Sequence, residues 1–467
     1  MKKRMLKIWD WLDDRTGVSA LVVPLATHLV PPGAKWSYVF GSATLFCFML
    51  QVVTGIGLSL LYQPSVETAY ESLKYISNQA VLGSWLRGMH YFGASGMILL
   101  MGIHMIRVYL MAVYKFPREM QWITGIVLLL LTIVMGFTGQ LLRWDDTGVW
   151  SAVVAAEQLG RIPLIGKSIA YFLIGGETIG GYTLSRFYAY HVFVVPALLF
   201  AFTAFHVYLV FRNGISEPPK RGRLLGKEDY RDWYEGMLKK EGVPFFPFAA
   251  WRDVVFGTVV ILIITFLAIY KGAPELLGPP RPDSIYANPK PDWYLSWVFA
   301  IFALMPPKIE SYVIAFGPLI ILFLMFAVPF LSKRKERHPM RRPWAIIGVV
   351  FTVMVIIAFT VEGMRSPWSP KFDTKPLPAD IVDNSSAEVV KGAQLFYDKG
   401  CLYCHKIGEY GGARGPDLTQ IEYRLTSSEM VIRIVNGGGN MPAFGGSLSE
   451  SELAALVAFL KAKKADK

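Results

Sequence analysis

Seven long apolar blocks constrain the fold of this chain more than any other feature of its sequence. Each is close to or above the roughly 20 residues that a helix needs to cross a hydrocarbon core about 30 Å thick. Hydrophobic residues make up 53% of the 467, too many for an ordinary soluble protein. The pattern predicts an all-α membrane protein with seven transmembrane helices. The blocks cover approximately residues 36–62, 86–113, 121–142, 184–211, 254–270, 311–331 and 344–362.

Lysine and arginine are concentrated in alternate loops between these blocks. The rich segments are the amino terminus, the loop around Lys115 and Arg118, and loops 212–240 and 333–342. Because cytoplasmic loops carry the excess of positive charge, the amino terminus is expected in the cytoplasm and everything after residue 363 outside. This topology also explains the net charge of +12 better than nucleic-acid binding does.

Two segments outside the blocks have a helical character. The opening stretch MKKRMLKIWDWLDDR reads as a retained amphipathic segment on the cytoplasmic side. His28, before a Pro-Pro-Gly turn, is expected to be a plain loop residue. The shorter apolar run 293–306, bounded by prolines, predicts an interfacial or re-entrant helix.

Four of the seven histidines lie in pairs inside two blocks: His90 with His104, and His191 with His206. At 1.5 Å rise per residue, the members of a pair are roughly 21 to 23 Å apart and point broadly the same way. Set side by side and antiparallel, the two helices would offer one His–His site near each membrane face. A lone membrane histidine can be structural, but four at paired spacing favour metal ligation. Stacked bis-imidazole sites suit two haems b.

A change of composition after residue 363 marks a separate domain. Residues 364–385 are polar and proline-rich and predict a linker, and 386–467 predict a small helical domain. Cys401, Cys404 and His405 form CxxCH, the attachment signal for a covalent haem c, whereas a zinc site is the weaker alternative. Met441, in a glycine-rich loop, is the candidate second axial ligand, although a lone methionine is often packing.

Several stretches resemble the cytochrome b family of cytochrome bc complexes: LQVVTGIGLSLLY, FPREMQWITG, GFTGQLLRWDDTGVW and LSRFYAYHVFVVP. Residues 1–220 resemble cytochrome b6, a dihaem four-helix domain. Residues 245–363, within a part bounded at 221–363, resemble its three-helix partner, subunit IV. They carry PDWY at 291–294. Residues 386–467 resemble a class I cytochrome c, so that three parts are fused in one polypeptide.

The resemblance implies a quinol:cytochrome c oxidoreductase. By analogy, His90 and His191 would ligate the low-potential haem near the outer face, and His104 and His206 the high-potential haem near the cytoplasmic face. Electrons from quinol would divide between a Rieske protein, on the way to haem c, and the haems b. The haem b branch would end at a quinone on the cytoplasmic side, with proton translocation.

The motif PDWY lines the quinol-oxidation site in the family, usually with glutamate as its second residue. Asp292, Trp293 and Tyr294 are therefore the candidate catalytic residues, with the carboxylate accepting a quinol proton. Aspartate variants of the motif occur in branches of the family that use low-potential menaquinones, so the resemblance implies menaquinol as the substrate. The alternative is an aspartate that caps a loop helix beside an interfacial tryptophan.

Glycines and arginines accompany the histidines at matching intervals. The glycines are fourteen residues apart on two helices, as His90 and His104 are, which favours close approach of a flat macrocycle over ordinary small-residue packing. The arginines lie three residues from a histidine and resemble those that pair with haem propionates, although topology anchors would look similar. They are Gly41 and Gly55, Gly125 and Gly139, and Arg87 and Arg107.

Two positions depart from the family pattern. Val39 stands where cytochrome b6 has a cysteine that holds an extra haem, and Cys47 reads as a packed thiol, so a covalent third membrane haem is not expected. Arg143 stands where the family usually has proline.

The remaining cysteines are too few to hold an iron–sulfur cluster, so the Rieske protein must be a separate chain. The other expected partners are the lipid bilayer, quinol and quinone, a downstream c-type cytochrome or oxidase, and a second copy in a homodimer. The expected location is a bacterial cytoplasmic membrane, with the cytochrome c domain on the periplasmic side. Two rival functions remain: a dihaem anchor for a dehydrogenase or hydrogenase, and a non-catalytic scaffold that displays a cytochrome c.

Overall fold

The computed structural model describes residues 2–176, 179–280, 291–305, 307–332, 334–365, 375–383, 386–412, 415–437, 441 and 444–463. Within these ranges, seven helices are long and apolar enough to cross a membrane, which confirms the predicted number. In chain order they are α3 (Phe40–Ser59), α5 (Gly83–Leu110), α6 (Glu119–Leu141), the span Gly181–Asn213, α13 (Ala250–Tyr270), α15 (Pro307–Leu331) and α16 (Pro343–Arg365).

Shorter helices connect or precede these spans. Before the first span lie α1 (Lys2–Thr16) and α2 (Val18–Thr27), followed by α4 (Ala69–Asn78) between the first two spans. The others are α7 (Asp146–Gly160), α8 (Gly166–Ile174), α11 (Lys227–Glu241), α12 (Phe245–Phe248) and α14 (Ser296–Leu304). Helix α14 agrees with the short helix predicted for 293–306, and it packs against α16.

The first four spans form a bundle whose directions follow from the chain order. Helix α3 packs along α5 in the opposite direction, since Gly41 lies against His104 and Gly55 against His90. The expectation that the two histidine helices are antiparallel is wrong. Among the spans that the structure describes, only α6 lies between them in the chain, so both cross in the same direction. That common direction is what allows His90 to meet His191 and His104 to share a cavity with His206.

The fourth span is not a uniform helix. It consists of α9 (Gly181–Ala189), a π-helical turn at Tyr190–Val194 and α10 (Val195–Asn213). Pro196 follows the turn, and proline has no N–H to donate to the carbonyl four residues earlier. A π turn is one way for a helix to absorb that missing hydrogen bond. This turn carries His191.

Helix α13, the first of the three spans that follow the bundle, packs against α3 and α5. A Cβ built on Gly88 of α5 would lie 3.0 Å from the Ala268 side chain, and one built on Gly257 would lie 2.7 Å from the Phe46 ring. Close approach without side chains is the usual way for helices to pack inside a membrane, where no hydrophobic effect drives them together.

A short antiparallel pair of strands joins the amino-terminal segment to the entrance of α13. Strand β1 (Leu29–Val30) pairs with β2 (Val243–Pro244), and the ring of His28 stacks on Phe245 with centroids 5.1 Å apart. His28 is therefore more than the plain loop residue that the sequence suggested, since its ring packs between elements distant in the chain.

The carboxy-terminal domain is a separate helical unit with its own core. It contains α17 (Ala387–Asp398), α18 (Cys401–Cys404), α19 (Ser427–Asn436) and α20 (Glu450–Ala462), with a small hairpin of β3 (Lys406–Ile407) and β4 (Tyr410–Gly411). Helices α17 and α20 cross where Gly392 meets the backbone of Ala455. Phe396, Leu402 and Phe459 are among the buried residues that fill the core. Parts of the predicted linker 364–385 lie outside the described residues.

Candidate functional site

Two cavities lie in the bundle, one at each histidine level. The first, of about 440 Å³, is lined by His90 and His191 and reaches Asp292 and Tyr294. The second, of about 370 Å³, is lined by His104, His206 and Arg107. We call them the outer and inner cavities, after the faces predicted from the loop charges. Each cavity therefore brings together one histidine from each of the two helices, His90 with His191 and His104 with His206.

The rings of His90 and His191 face each other across the outer cavity. Their centroids are 6.2 Å apart and their planes are inclined by 74°. An iron bonded to both rings through nitrogens at about 2 Å would separate the centroids by roughly 6 Å. The spacing therefore fits a single metal ion held between the two imidazoles.

Each of the four glycines named from the sequence lies against one of the four histidine rings. A Cβ would come within 2.6 Å of His191 at Gly139, 3.0 Å of His104 at Gly41 and 3.3 Å of His90 at Gly55. At Gly125 the distance to His206 is 3.7 Å, an ordinary contact. The glycines make room for the imidazoles themselves. Whether they also admit a macrocycle stays a prediction.

The arginines near the histidines have different surroundings. Arg87 donates to Ser77 Oγ at 3.0 Å and to the Pro274 carbonyl at 2.6 Å. Arg107 stacks on the Tyr38 ring, with its guanidinium carbon 3.7 Å from the centroid. Within the described residues, the buried Nε and Nη2 of Arg107 have no hydrogen-bond partner. Unpaired buried cationic donors are costly, so the inner cavity fits an anionic group such as a propionate.

The motif PDWY places its acid and its phenol in the outer cavity. Tyr294 donates a hydrogen bond from Oη to Asp292 Oδ2 at 3.2 Å. Burial raises the pKa of Asp292, while the Tyr294 hydrogen bond and the nearby Arg143 act in the opposite direction. Burial and the adjacent carboxylate raise the pKa of Tyr294, so it remains a donor.

The structure also places Trp293 and bears on the alternative interpretation of Asp292. Trp293 lies outside the cavity lining and donates from Nε1 to Ser95 Oγ on α5 at 3.3 Å. The alternative reading of Asp292 as a helix cap is not supported, because the N-cap of α14 is Leu295 and no side chain caps that helix end.

Arg143, for which the sequence offered no account, forms a tie at the rim of the outer cavity. Its Nη2 donates to Asp145 Oδ2 at 2.6 Å and to the Glu275 carbonyl at 2.8 Å. Asp145 is fully buried and also accepts from the backbone N–H groups of Gly148 and Leu277. The pair therefore joins the end of α6 to the loop after α13.

The carboxy-terminal domain places Cys401 and Cys404 at the two ends of α18, with His405 directly after them. Burial lowers the pKa of His405, and its Nδ1 lies 2.8 Å from the Pro416 carbonyl. A neutral imidazole that donates from Nδ1 leaves Nε2 free for a metal. Met441 packs against the domain core, while residues 438–440 and 442–443 of the glycine-rich loop lie outside the described residues.

Comparison with known proteins places the three parts of the chain. Residues 25–214 match the family Cytochrome b/b6/petB, residues 282–374 match Cytochrome b(C-terminal)/b6/petD, and residues 387–460 match Cytochrome C oxidase, cbb3-type, subunit III. Cytochrome b6 of Synechococcus sp. (strain JA-3-3Ab) is 39% identical over 214 residues, which is all of that protein and 46% of this chain. Cytochrome b6 of Gloeobacter violaceus has the same identity and coverage. The chain belongs to the cytochrome b/b6 family.

A solved structure supports this assignment beyond the first half of the chain. The structure titled Hyperthermophilic respiratory Complex III matches with a TM-score of 0.67 at 28% identity, covering 77% of this chain and 91% of that one. This cytochrome b/b6 relative therefore combines a cytochrome b6 part, a subunit IV-like part and a cytochrome c domain in one electron-transport protein. Cytochrome b and cytochrome c domains imply haem b and haem c.

Sequence reasoning missed one set of residues in this cytochrome b6 part. Threonine hydroxyls lie beside three of the four paired histidines: Thr54 beside His90, Thr124 beside His206 and Thr138 beside His191. A signal was present, because a threonine directly precedes Gly55, Gly125 and Gly139.

Proposed function

We propose that this chain is the fused cytochrome b and cytochrome c subunit of a quinol:cytochrome c oxidoreductase. The observation that carries the proposal is the outer cavity, which brings the facing rings of His90 and His191 together with Asp292 and Tyr294. An electron acceptor and a proton acceptor at one cavity are what the oxidation of a quinol requires. A dihaem anchor would account for the histidines alone.

In this proposal, His90 and His191 hold one haem b and His104 and His206 hold the other, and Arg107 and Arg87 pair with propionates. Two haems b, when bound at these levels, would carry single electrons across the membrane. The residues of the chain fix their depth, because the two histidines on each helix lie about four helical turns apart and the two helices run in the same direction.

Asp292 is the proposed proton acceptor for a quinol in the outer cavity. A buried carboxylate with a raised pKa is a better base than an exposed one, since it gains more by taking up a proton. Tyr294 holds the carboxylate by its hydrogen bond and stays protonated itself. We further propose that menaquinol is the substrate, because an aspartate replaces the usual glutamate of the motif.

The cytochrome c domain is the proposed acceptor on the outer side. Cys401 and Cys404 would hold haem c by thioether bonds, with His405 and Met441 as axial ligands. A separate Rieske protein would deliver one quinol electron to this domain, and the linker would keep the domain close by. The other electron would cross through the two haems b to a quinone on the cytoplasmic side, with proton release outside and uptake inside.

The proposed setting is the cytoplasmic membrane of a bacterium, with the amino terminus inside and the cytochrome c domain outside. The apolar spans and the lysine-rich and arginine-rich loops support this topology. A homodimer and a downstream c-type cytochrome or oxidase complete the proposed assembly.

The test is quinol-dependent reduction of cytochrome c by the purified complex. We expect Asp292→Ala to abolish this activity while the pyridine haemochrome assay still gives two haems b per haem c. Asp292→Glu, which restores the residue usual in the family, is the matched control and should keep most of the activity. Full activity in Asp292→Ala would contradict the proposed base.

The ligand assignment has its own test. His104→Leu and His191→Leu should each lower the haem b to haem c ratio from two to one, because each removes one ligand of one pair. An undiminished b-type absorbance in either folded variant would overturn the assignment.

A further inference from the structure

Three threonine hydroxyls each contact the Nδ1 atom of one of the four paired histidines. The distance from Oγ1 to Nδ1 is 2.9 Å for Thr54 and His90 and 2.8 Å for Thr124 and His206. It is 3.1 Å for the third pair, which consists of Thr138 and His191. The same arrangement therefore occurs on two helices and at both levels of the bundle.

The helix fixes the direction of these hydrogen bonds. Each hydroxyl lies within 2.7 to 2.9 Å of the carbonyl four residues earlier in its own helix, at Leu50, Met120 and Val134. A hydroxyl has one proton, and a carbonyl can only accept it. With its proton given to the carbonyl, the hydroxyl accepts from Nδ1–H. The imidazole is thereby held as the tautomer whose Nε2 lone pair is free for a metal.

His104 is the exception among the four. Phe40 occupies the position before Gly41 that threonine occupies before the other three glycines. In the part of the chain that the structure describes, no hydroxyl is found within hydrogen-bond distance of His104. The outer pair thus has two hydroxyl acceptors and the inner pair has one.

We propose that Thr54, Thr124 and Thr138 are positioning residues that set the reduction potentials of the two haems b. This inference rests on the proposed function, in which the histidine pairs hold those haems. An acceptor on Nδ1–H makes an imidazole a stronger electron donor, which stabilises ferric over ferrous iron. Two such acceptors at the outer pair and one at the inner pair make the outer site the one of lower potential.

The test is a redox titration of the b-type absorbance in the purified complex. Thr54→Val and Thr138→Val keep the shape of the side chain and remove the hydroxyl acceptor. His191 retains the backbone carbonyl of Met135 as an acceptor. The outer haem should therefore titrate at higher potential in both variants, with the larger shift in Thr54→Val. The hydrogen bond exists in both oxidation states, so only the difference in its strength moves the potential. Since a net hydrogen bond is worth about 0.5 to 1.5 kcal/mol, the ratio of oxidised to reduced haem at fixed potential should fall by no more than about two- to tenfold. Thr54→Ser should restore the wild-type curve.

Thr132→Val is the matched control. Thr132 lies on α6, is buried and donates to the Leu128 carbonyl at 2.8 Å in the same way, but its hydroxyl is not bonded to a histidine. An unchanged potential in Thr54→Val, or an equal shift in Thr132→Val, would overturn the proposal. If Thr54→Val loses haem b, the Thr54→Ser variant decides. Haem b that is retained in Thr54→Ser supports the role of the hydroxyl, and haem b that is lost in both variants opposes it.

These outcomes are distinct from a failure of the proposed function. If His191→Leu kept both haems b, the ligand assignment would be refuted. The proposed role of the threonines would then be refuted as well, because it depends on that assignment. If the histidine variants lose haem as expected while the threonine variants leave the potentials unchanged, only the positioning role is refuted.

Discussion

The hydroxyl of Tyr294 lies 3.2 Å from a carboxylate oxygen of Asp292, and both groups line the cavity that holds the ring of His90. A donor aimed at a buried carboxylate favours its charged form. The pair therefore sets the pH range in which Asp292 can act as a base.

A change in pH dependence follows from this contact. Asp292 must be ionised to accept a proton, so activity should rise with pH through its raised pKa. Tyr294→Phe removes a hydrogen bond that lowers this pKa, and the acidic limb of kcat/KM should move to higher pH. The measurement is the pH profile of quinol-dependent cytochrome c reduction. A limb that stays in place would show that the hydrogen bond does not tune the base.

The glycines allow a steric test with an internal control. Gly139→Ala would place a methyl 2.6 Å from the His191 ring, so the ring must shift and the outer haem b should be lost or weakened. Gly125→Ala makes a 3.7 Å contact with His206 and should retain haem b. The haem b to haem c ratio of each variant checks this. Loss in both variants would show that the glycines clear the macrocycle, as the sequence suggested.

Arg143 should contribute to stability as well as to the outer cavity. Arg143→Ala leaves the fully buried carboxylate of Asp145 without its ion-pair partner. Breaking such a pair from one side costs about 3 to 5 kcal/mol. We expect a clear loss of thermal stability, measured as a lower temperature at which the b-type absorbance is lost. Lys74→Ala, which removes one member of an exposed ion pair with Glu71, is the control and should change little.

The CxxCH motif predicts a covalent attachment that can be separated from the membrane site. Cys401→Ser should remove one thioether, and Cys401→Ser with Cys404→Ser should leave no haem that resists acid–acetone extraction. Both haems b should remain, because the cysteines belong to a domain with its own core. Haem c that survives in the double variant would contradict the attachment.

The residue pattern predicted much of the membrane part because its constraints are local. A span must be apolar along its length, and a helix places residues 14 or 15 apart on one face, so the spans and the histidine faces follow from counting. The motifs PDWY and CxxCH are equally local. The positions of Asp292, Cys401 and His405 could therefore be named in advance, although their roles could not be tested.

The directions and neighbours of the helices required the tertiary structure. The two histidine helices were wrongly expected to be antiparallel. The spacing of two histidines along one helix is the same whichever way the helix runs, so it does not show which end of one helix lies beside which end of the other. The π turn at His191 depends on Pro196, and the contact of Arg143 with Glu275 joins residues far apart in the chain.

The sequence by itself determined that this chain has seven spans, two histidine levels and a separate CxxCH domain, since hydropathy and helical period act along the chain. Only the tertiary structure decided that the two histidine helices run in the same direction, that threonine hydroxyls lie against three of the four imidazoles, and that Asp292 shares a cavity with His90 and His191. Such contacts depend on packing between helices, and the sequence of one helix does not specify which side chains of the neighbouring helices lie against it.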